Sequence, residues 1–317
     1  MKLKCPIPRI LLPIDGSEHS KRAVEFAGYL GSALGKSLTG IALLRIITGR
    51  YMSRNIPFVD FRAEILKLSD AFTKFKERHI EENIKPSLDE SEKILRDTGT
   101  EAQIEKLISE GDPSREIVRI ANEGNFSTII MARRGLSEIV EFFLGSVTNK
   151  VVHGASKQTV YIVGQKILRD KEYSIQKILI PVDGSIYSMK GVEEAACLAV
   201  VLKEKIKKIT LLRVINLALY VERIKEGIDP ELEAQRILED AKAIFLRAEV
   251  PENCIETKIR VGIPAEEILK DIEAEEYNII VMGRKGRTAI KDFVLGGVST
   301  TVLHRCQNPT IAIVSIE

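Results

Sequence analysis

The chain has 317 residues, of which 44% are hydrophobic and 29% charged, and this composition is typical of a globular protein rather than of a disordered or fibrous one. Its 47 lysines and arginines are balanced by 45 aspartates and glutamates, so the composition does not favour a nucleic-acid-binding protein. The length exceeds one typical domain of roughly 150 residues, which predicts two compact units.

The N-terminal segment MKLKCPIPRILLPIDGS has basic residues before an apolar run, as a signal peptide has. Prolines and charged residues interrupt this run, which makes it too short for the apolar region of a signal peptide. No stretch approaches the ~20 apolar residues of a membrane span. The four cysteines contain no C-x-x-C pair, which is typical of reduced thiols. We therefore expect a cytoplasmic protein that binds neither a membrane nor nucleic acid.

Short runs rich in Ile, Leu and Val alternate with helical patterns along the chain. Runs such as TIIMA and NIIVM are apolar at almost every position, which is typical of strands covered by helices on both faces. The predicted strands lie near residues 9–14, 38–47, 103–110, 126–132 and 159–163, and near 177–182, 208–215, 256–261, 277–282 and 310–315. This alternation predicts an α/β fold with a parallel sheet in each half of the chain.

The two halves are copies of one domain. Residues in the N-terminal part of each half recur 168 positions apart, as Asp15 and Asp183 do. Later residues recur 151 positions apart, as Gly145 and Gly296 do, so the first half carries 17 extra residues between its second and third strands. We predict three regions, which are domain 1 over residues 1–165, a charged linker over 166–175 and domain 2 over 176–317.

The extra residues of the first half fall in a predicted helical segment at about residues 50–98. Apolar side chains recur there at steps of three and four, as on one face of a helix: Phe61, Ile65, Leu68, Phe72 and Phe75. Such a stripe most often packs within its own molecule, and less often forms a dimer contact or a lid. His79 continues the stripe, which favours a packed histidine over a ligand.

The first candidate site motif is an aspartate that directly follows the first strand of each half, in PIDGSEHS and PVDGSIYS. In an open parallel sheet, ligands bind beyond the carboxyl ends of the strands, where Asp15 and Asp183 would meet a ribose hydroxyl or a cation. The alternative is that the aspartate, glycine and serines only form a turn and cap the next helix. The motif by itself fits both interpretations.

The second candidate motif is a set of glycines after the fourth strand of each half, in ARRGLSEIVEFFLGS and GRKGRTAIKDFVLGG. Such glycines let backbone amides approach phosphate oxygens, and the helix N-terminus adds partial positive charge. The hydroxyls of Ser146, Thr148 or Ser299 would add hydrogen bonds. Glycines also form ordinary loops, but this pattern occurs twice and in register with an aspartate. We therefore favour a phosphate-bearing ligand.

Both halves resemble the universal stress protein family, and together they resemble a tandem member over essentially the whole chain. The resemblance rests on P-[IV]-D-G-S-x-x-S, on EGDPSREIV and VGIPAEEIL, and on G-x-x-G-x9-G-[ST]. It implies a flavodoxin-like, five-stranded parallel sheet of order 3-2-1-4-5 in each half, with the halves paired through their last strands. It also implies bound ATP or AMP, with Mg²⁺ or Mn²⁺ as an accompanying ion, and a homodimer of tandem chains.

The resemblance further implies a nucleotide-binding set in each half. In the first half the set is Pro13, Asp15, Ile46, Met131, Gly135, Gly145, Ser146, Val147 and Thr148. In the second half it is Pro181, Asp183, Val214, Met282, Gly283, Gly286, Gly296, Gly297, Val298 and Ser299. Ala132 replaces the first glycine of the motif in the first half, and Gly297 replaces the Ser or Thr in the second. We therefore expect two sites of unequal affinity.

Three functions stay open at this point. The first is a regulatory protein of the stress response that binds an adenine nucleotide. The second is a slow ATPase or an adenylyl-transfer enzyme with a divalent cation, although the chain has neither an H-x-G-H pair nor an S-G-G-x-D-S loop. The third is a dimerising scaffold without nucleotide, against which the duplicated glycines argue. We assign no catalytic residue and no metal ligand, because the four histidines do not cluster in the sequence.

Overall fold

The computed structural model describes residues 7–48, 70–134, 144–164, 175–202, 205–286 and 295–316. The strands are β1 (Arg9–Ile14), β2 (Gly40–Ile47), β3 (Gln103–Glu110), β4 (Thr128–Ala132), β5 (Thr159–Val163), β6 (Lys177–Pro181), β7 (Lys208–Asn216), β8 (Ile255–Gly262), β9 (Ile279–Gly283) and β10 (Thr310–Val314). The predicted strands are confirmed, each to within two residues at either end.

The α-helices of the described residues alternate with these strands. They are α1 (Glu18–Leu34), α2 (Asp70–His79), α3 (Lys85–Asp97), α4 (Pro113–Glu123), α5 (Ser146–Gly154), α6 (Ile186–Leu202), α7 (Leu217–Lys225), α8 (Pro230–Arg247), α9 (Pro264–Ala274) and α10 (Gly297–Arg305). Of the predicted apolar stripe, Phe61, Ile65 and Leu68 lie outside the described residues. None of the described helices is both long and apolar enough to cross a membrane.

Each half forms a parallel sheet of the predicted order, with strands β3-β2-β1-β4-β5 in the first half and β8-β7-β6-β9-β10 in the second. The two sheets join through antiparallel pairing of β5 with β10, in which Tyr161 lies opposite Ala312. The expected pairing of the halves through their last strands is therefore confirmed, and the result is a single sheet of ten strands.

Two hydrophobic clusters cover the two faces of this sheet, and each contains residues of both halves. One cluster lies under α1, α3, α6 and α8, and includes Leu12 and Ile178. The other lies under α4, α5, α9 and α10, and includes Leu11 and Leu179. Neighbouring residues of one strand enter opposite clusters, which is why the strands are apolar at successive positions. The apolar core therefore runs across the boundary between the halves.

The segments EGDPSREIV and VGIPAEEIL each begin a helix beside the carboxyl edge of the sheet. Asp112 caps α4, since its side chain accepts a hydrogen bond from the backbone N–H of Arg115 at 3.0 Å. Pro113 and Pro264 occupy the first helical positions of α4 and α9, where the missing N–H of proline costs nothing. Both helices therefore begin directly after a strand end, and α4 has a side-chain cap there whereas α9 has none.

The cysteines differ in part from the expectation of reduced thiols. Cys254 and Cys306 are free thiols, whereas Cys197 is disulfide-bonded. Burial raises the pKa of Cys306 to about 12, which keeps this thiol protonated and unreactive. Cys306 is therefore a core residue.

Candidate functional site

The turn after β1 holds a carboxylate at the edge of the sheet. Gly16 has a φ angle of +81° and Gly184, its counterpart after β6, has +79°, a backbone region that favours glycine. Asp15 Oδ1 accepts hydrogen bonds from the backbone N–H of Ser17 at 3.0 Å and from its hydroxyl at 2.6 Å. The Ser17 hydroxyl also accepts the backbone N–H of Ser20 at 3.1 Å, which caps α1. The motif therefore forms the predicted turn and cap, and it also fixes the aspartate.

The second half repeats this turn and brings it to the glycine loop. Asp183 Oδ1 accepts the backbone N–H of Ser185 at 2.9 Å. A Cβ atom on Gly286 would lie 2.6 Å from Asp183 Oδ2, which is closer than such atoms approach each other. Oδ2 of Asp183 therefore packs against the backbone of Gly286 in the loop after β9, and a side chain at position 286 would clash with it. The equivalent Gly135 of the first half lies outside the described residues.

The last glycine of each motif lies at the N-terminus of a helix and packs against the end of a strand. The backbone N–H of Gly145 donates to Arg133 O at 2.9 Å, and Gly296 donates to Arg284 O at the same distance. A Cβ atom on Gly145 would lie 3.3 Å from Arg133 O, and one on Gly296 would lie 3.4 Å from Arg284 O. The absence of a side chain therefore lets the start of α5 or α10 approach the preceding strand.

Two buried hydroxyls hold the first turns of these helices to the strands. Thr148 donates its hydroxyl proton to Ala132 O at 3.0 Å, and Ser299 donates to Gly283 O at 2.9 Å. Their protons are therefore not available to a ligand. Ser146, in contrast, is exposed at the first position of α5. A Cβ atom on the equivalent Gly297 would have no heavy atom within 4 Å.

The first glycine of the second motif is explained by helix packing. A Cβ atom on Gly283 would lie 2.6 Å from the carbonyl carbon of Tyr187 and 2.7 Å from Ser188 N, at the start of α6. The φ angle of Gly283 is not positive, so backbone conformation does not require glycine here. Glycine is thus needed at this position because the strand end and the next helix approach closely. Ala132, at the matching position of the first half, is buried beside α1.

The predicted residues line two cavities, one in each half. The first cavity has a volume of about 310 Å³, and the predicted residues that line it are Pro13, Asp15, Ile46, Met131, Gly145, Ser146, Val147 and Thr148. The second has a volume of about 930 Å³, and the predicted residues that line it are Pro181, Asp183, Val214, Met282, Gly283, Gly286, Gly296, Gly297, Val298 and Ser299. Each cavity joins apolar walls to a helix N-terminus, an arrangement suited to a ligand with a flat apolar part and an anionic part.

The first cavity is also lined by basic residues that are not among the predicted site residues. Arg45, at the end of β2, lines the cavity with Arg134, and its Nη1 donates to Ile14 O at 3.2 Å. His79 is buried as predicted, and it lines the same cavity. Burial lowers the pKa of His79, and the nearby charge of Arg45 lowers it further.

The second cavity repeats this basic character. Arg213, the counterpart of Arg45 at a spacing of 168, lines it together with Lys285, and both side chains are buried. The recurrence of this arginine at the end of the second strand was the sequence signal that would have identified it. The two arginines of the first cavity outnumber its one carboxylate, which favours an anionic ligand there, whereas Arg213 and Lys285 are balanced by the carboxylates of Asp183 and Glu222 in the second cavity.

The described residues contain no group of three or more His, Cys, Asp or Glu side chains close enough to hold a metal ion. Each cavity has one aspartate at the strand end, Asp15 or Asp183, and the second cavity is also lined by Glu222. A cation would therefore have to take most of its ligands from a bound phosphate group and from water.

Comparisons with known proteins agree on one family. The model of the universal stress protein family matches residues 6–163 and 174–313. Universal stress protein Slr1230 of Synechocystis is 23% identical over 314 residues, which cover 95% of this chain and 98% of the relative. Universal stress protein MJ0531 of Methanocaldococcus jannaschii is 29% identical over 156 residues, which cover 48% of this chain and 90% of the relative.

A solved structure has the same fold over almost the whole chain. It is that of a universal stress protein from Archaeoglobus fulgidus, with a TM-score of 0.67 and 22% identity, and the match covers 97% of this chain and 98% of the other.

Proposed function

The chain belongs to the universal stress protein family as a tandem of two family domains, and on that premise we propose that it binds an adenine nucleotide, ATP or AMP, in each of its two cavities. The proposed role is regulatory: occupancy of the cavities by nucleotide changes the contacts that the protein makes during stress. The observation that carries the proposal is that every predicted site residue within the described part of the chain lines one of the two cavities.

The apolar wall of each cavity is the proposed adenine site. Pro13, Ile46 and Met131 lie at the carboxyl ends of β1, β2 and β4, and they provide the apolar surface that a flat base requires. The corresponding wall of the second cavity consists of Pro181, Val214 and Met282. Asp15 and Asp183, fixed by their turns, are the proposed acceptors for the ribose hydroxyls.

The helix starts are the proposed phosphate sites. The first backbone N–H groups of α5 and α10 have no partner within their helices, and the helix dipole adds partial positive charge at the same place. Ser146 adds a hydroxyl donor in the first half. Thr148 and Ser299 contribute indirectly, because their hydroxyls fix the first helical turn to the strand. A Mg²⁺ or Mn²⁺ ion would accompany the phosphates and take most of its ligands from them and from water.

The proposal is tested by releasing and identifying any nucleotide from denatured protein, and by titrating ATP, AMP and ADP into nucleotide-free protein in a calorimeter. We expect about one to two nucleotides per chain, since the phosphate-site pattern occurs twice. Gly145→Glu and Gly296→Glu should each remove one site, because both place a bulky anion at the proposed phosphates. Gly40→Glu, at the opposite end of β2, is the control with the same charge change. The absence of binding at millimolar nucleotide would refute the proposal.

The same protein samples distinguish a regulatory protein from an enzyme. ATP hydrolysis is measured with and without Mg²⁺ or Mn²⁺. Sustained turnover above about 1 s⁻¹ would lie in the ordinary enzyme range and would favour the enzyme over the regulatory protein.

A further inference from the structure

Two buried arginines cross the boundary between the halves. Arg133 directly follows β4 and Arg284 directly follows β9, at matching positions of the repeat. Their exposed fractions are 8% and 1%. Buried charges are costly unless polar groups surround them, so the partners of these two side chains matter.

Arg284, of the second half, binds the end of a helix of the first half. Its Nη1 donates to Val152 O at 2.8 Å and to Ala155 O at 3.0 Å, and its Nη2 donates to His153 O. These carbonyls lie at the C-terminus of α5, where backbone oxygens lack helical partners and carry partial negative charge. The guanidinium of Arg284 is thus stabilised by a helix end of the opposite half.

Arg133, of the first half, makes the reciprocal contact. Its Nη2 donates to Leu303 O at 2.6 Å and to His304 O at 3.2 Å. These two carbonyls belong to the last turn of α10, in the second half. Each half therefore holds the C-terminal end of one helix of the other half.

The backbones of the same arginines belong to the candidate sites. Arg133 O accepts the N–H of Gly145 at the start of α5, and Arg284 O accepts the N–H of Gly296 at the start of α10. Since α5 starts at the first cavity and ends on Arg284, and α10 starts at the second cavity and ends on Arg133, the contacts form a closed circuit. The circuit passes through one helix of each half, α5 and α10, and each of these helices has nine residues.

We propose that Arg133 and Arg284 are positioning residues that act across the boundary, so that Arg284 sets the first site through α5 and Arg133 sets the second site through α10. Binding at one site then strengthens binding at the other, because a fixed helix start restrains the arginine that holds the opposite helix. The part of this inference that concerns ligand affinity rests on the proposed nucleotide binding. The restraint on the helices does not depend on it.

The affinity test uses chains with one working site. Ser146→Glu blocks the first site and Gly297→Glu blocks the second; both positions are open, so neither change disturbs the arginine backbones. In the Gly297→Glu chain, Arg284→Met should weaken ATP binding about five-fold or more, and Arg133→Met should weaken it much less. In the Ser146→Glu chain, Arg133→Met should cause the larger loss of ATP affinity and Arg284→Met the smaller.

Three further variants make the affinity test specific. Arg133→Lys and Arg284→Lys should restore part of the affinity, since lysine keeps the charge but reaches fewer carbonyls. Arg305→Met is the control, because Arg305 lies in the same last turn of α10 but pairs on the surface with Glu266. The proposal would be overturned if an Arg→Met variant lowered ATP affinity equally at both sites. It would also be overturned if the larger loss of affinity occurred at the site in the same half as the substituted arginine.

The second test needs no ligand. Hydrogen exchange is measured in nucleotide-free protein at the amides of residues 149–151 and 300–302, which donate to the carbonyls of the first turns of α5 and α10. Arg284→Met should speed exchange in the first turn of α5 and not in that of α10, and Arg133→Met should do the opposite. An increase confined to the last turns of the helices would overturn the proposal. If the parent chain bound no ATP, nucleotide binding would be refuted while this measurement would still decide the role of the arginines.

Discussion

At the scale of single residues, Gly16 and Gly184 show why the aspartate motif contains a glycine. Both have φ near +80°, where a Cβ atom is strained. Gly184→Ala should therefore lower the free energy of unfolding by about 1–2 kcal/mol in urea denaturation. Gly297→Ala, at a site with open space and without positive φ, is the matched control and should change stability by less than about 0.5 kcal/mol. Equal effects of the two variants would contradict the strain argument.

The pair Ser146 and Gly297 should account for part of the difference in affinity between the two sites. A serine at position 297 would fit without contact, and its hydroxyl would supply a donor to the phosphate. Gly297→Ser should strengthen ATP binding at the second site about ten-fold, since a hydrogen bond to a charged group contributes about 1.5 kcal/mol or more. Ser146→Gly should weaken the first site by a similar factor. Calorimetric titration of chains with the other site blocked measures both; unchanged affinities would show that the phosphate lies elsewhere.

At the scale of elements, the contact between α6 and β5 contains a buried acid. Glu194 of α6 is 2% exposed, and its carboxyl accepts hydrogen bonds from Thr159 at 2.8 Å and Tyr161 at 2.5 Å, both on β5. Burial raises the pKa of Glu194 to about 7, and the two hydrogen bonds offset only part of this rise. Burial at the boundary between the halves therefore favours the protonated form of Glu194.

This raised pKa predicts a dependence of stability on pH. Because the folded state binds the proton more tightly than the unfolded state, the stabilisation is complete below a pH of about 4.5 and is lost as the pH rises through about 7. Between pH 5.5 and 8, the free energy of unfolding should fall by about 2 kcal/mol more in the parent than in Glu194→Gln. Glu193→Gln, at the exposed neighbouring position, should keep the slope of the parent. Identical slopes in the parent and Glu194→Gln would exclude this acid as the cause.

The elements also show how far the sequence predicts this structure. Strands such as β4 and β9 were predicted because both of their faces are covered, so they are apolar at every position. Asp15 and Asp183 were predicted because the ends of parallel strands meet at one edge of the sheet, whereas the apolar residues of the cavity walls followed only from the family resemblance. The contacts of Arg133 and Arg284 were not predicted, because they join residues far apart in the chain and depend on how the two halves pack.

At the scale of the whole molecule, each half covers the last strand of the other. The strands β5 and β10 are buried along their whole length in the joined sheet. A chain of residues 1–165 alone would expose β5 as an apolar edge with unpaired backbone groups. We expect this chain to dimerise through β5 or to aggregate, as measured by sedimentation velocity. A stable monomer would contradict the view that the antiparallel pair completes the fold.

The antiparallel pair of β5 and β10 relates the two halves by an approximate two-fold axis, but their sequences can differ. A dimer of identical domains must present the same cavity twice, whereas two domains in one chain are free to diverge. Here the cavities differ in volume, at about 310 and 930 Å³, and in the residue at the helix mouth, Ser146 in one and Gly297 in the other. With the proposed nucleotide as ligand, two unequal sites fill at different concentrations. The site that fills first then strengthens binding at the other through Arg133 and Arg284, so a single chain combines an ordered response with a steep one.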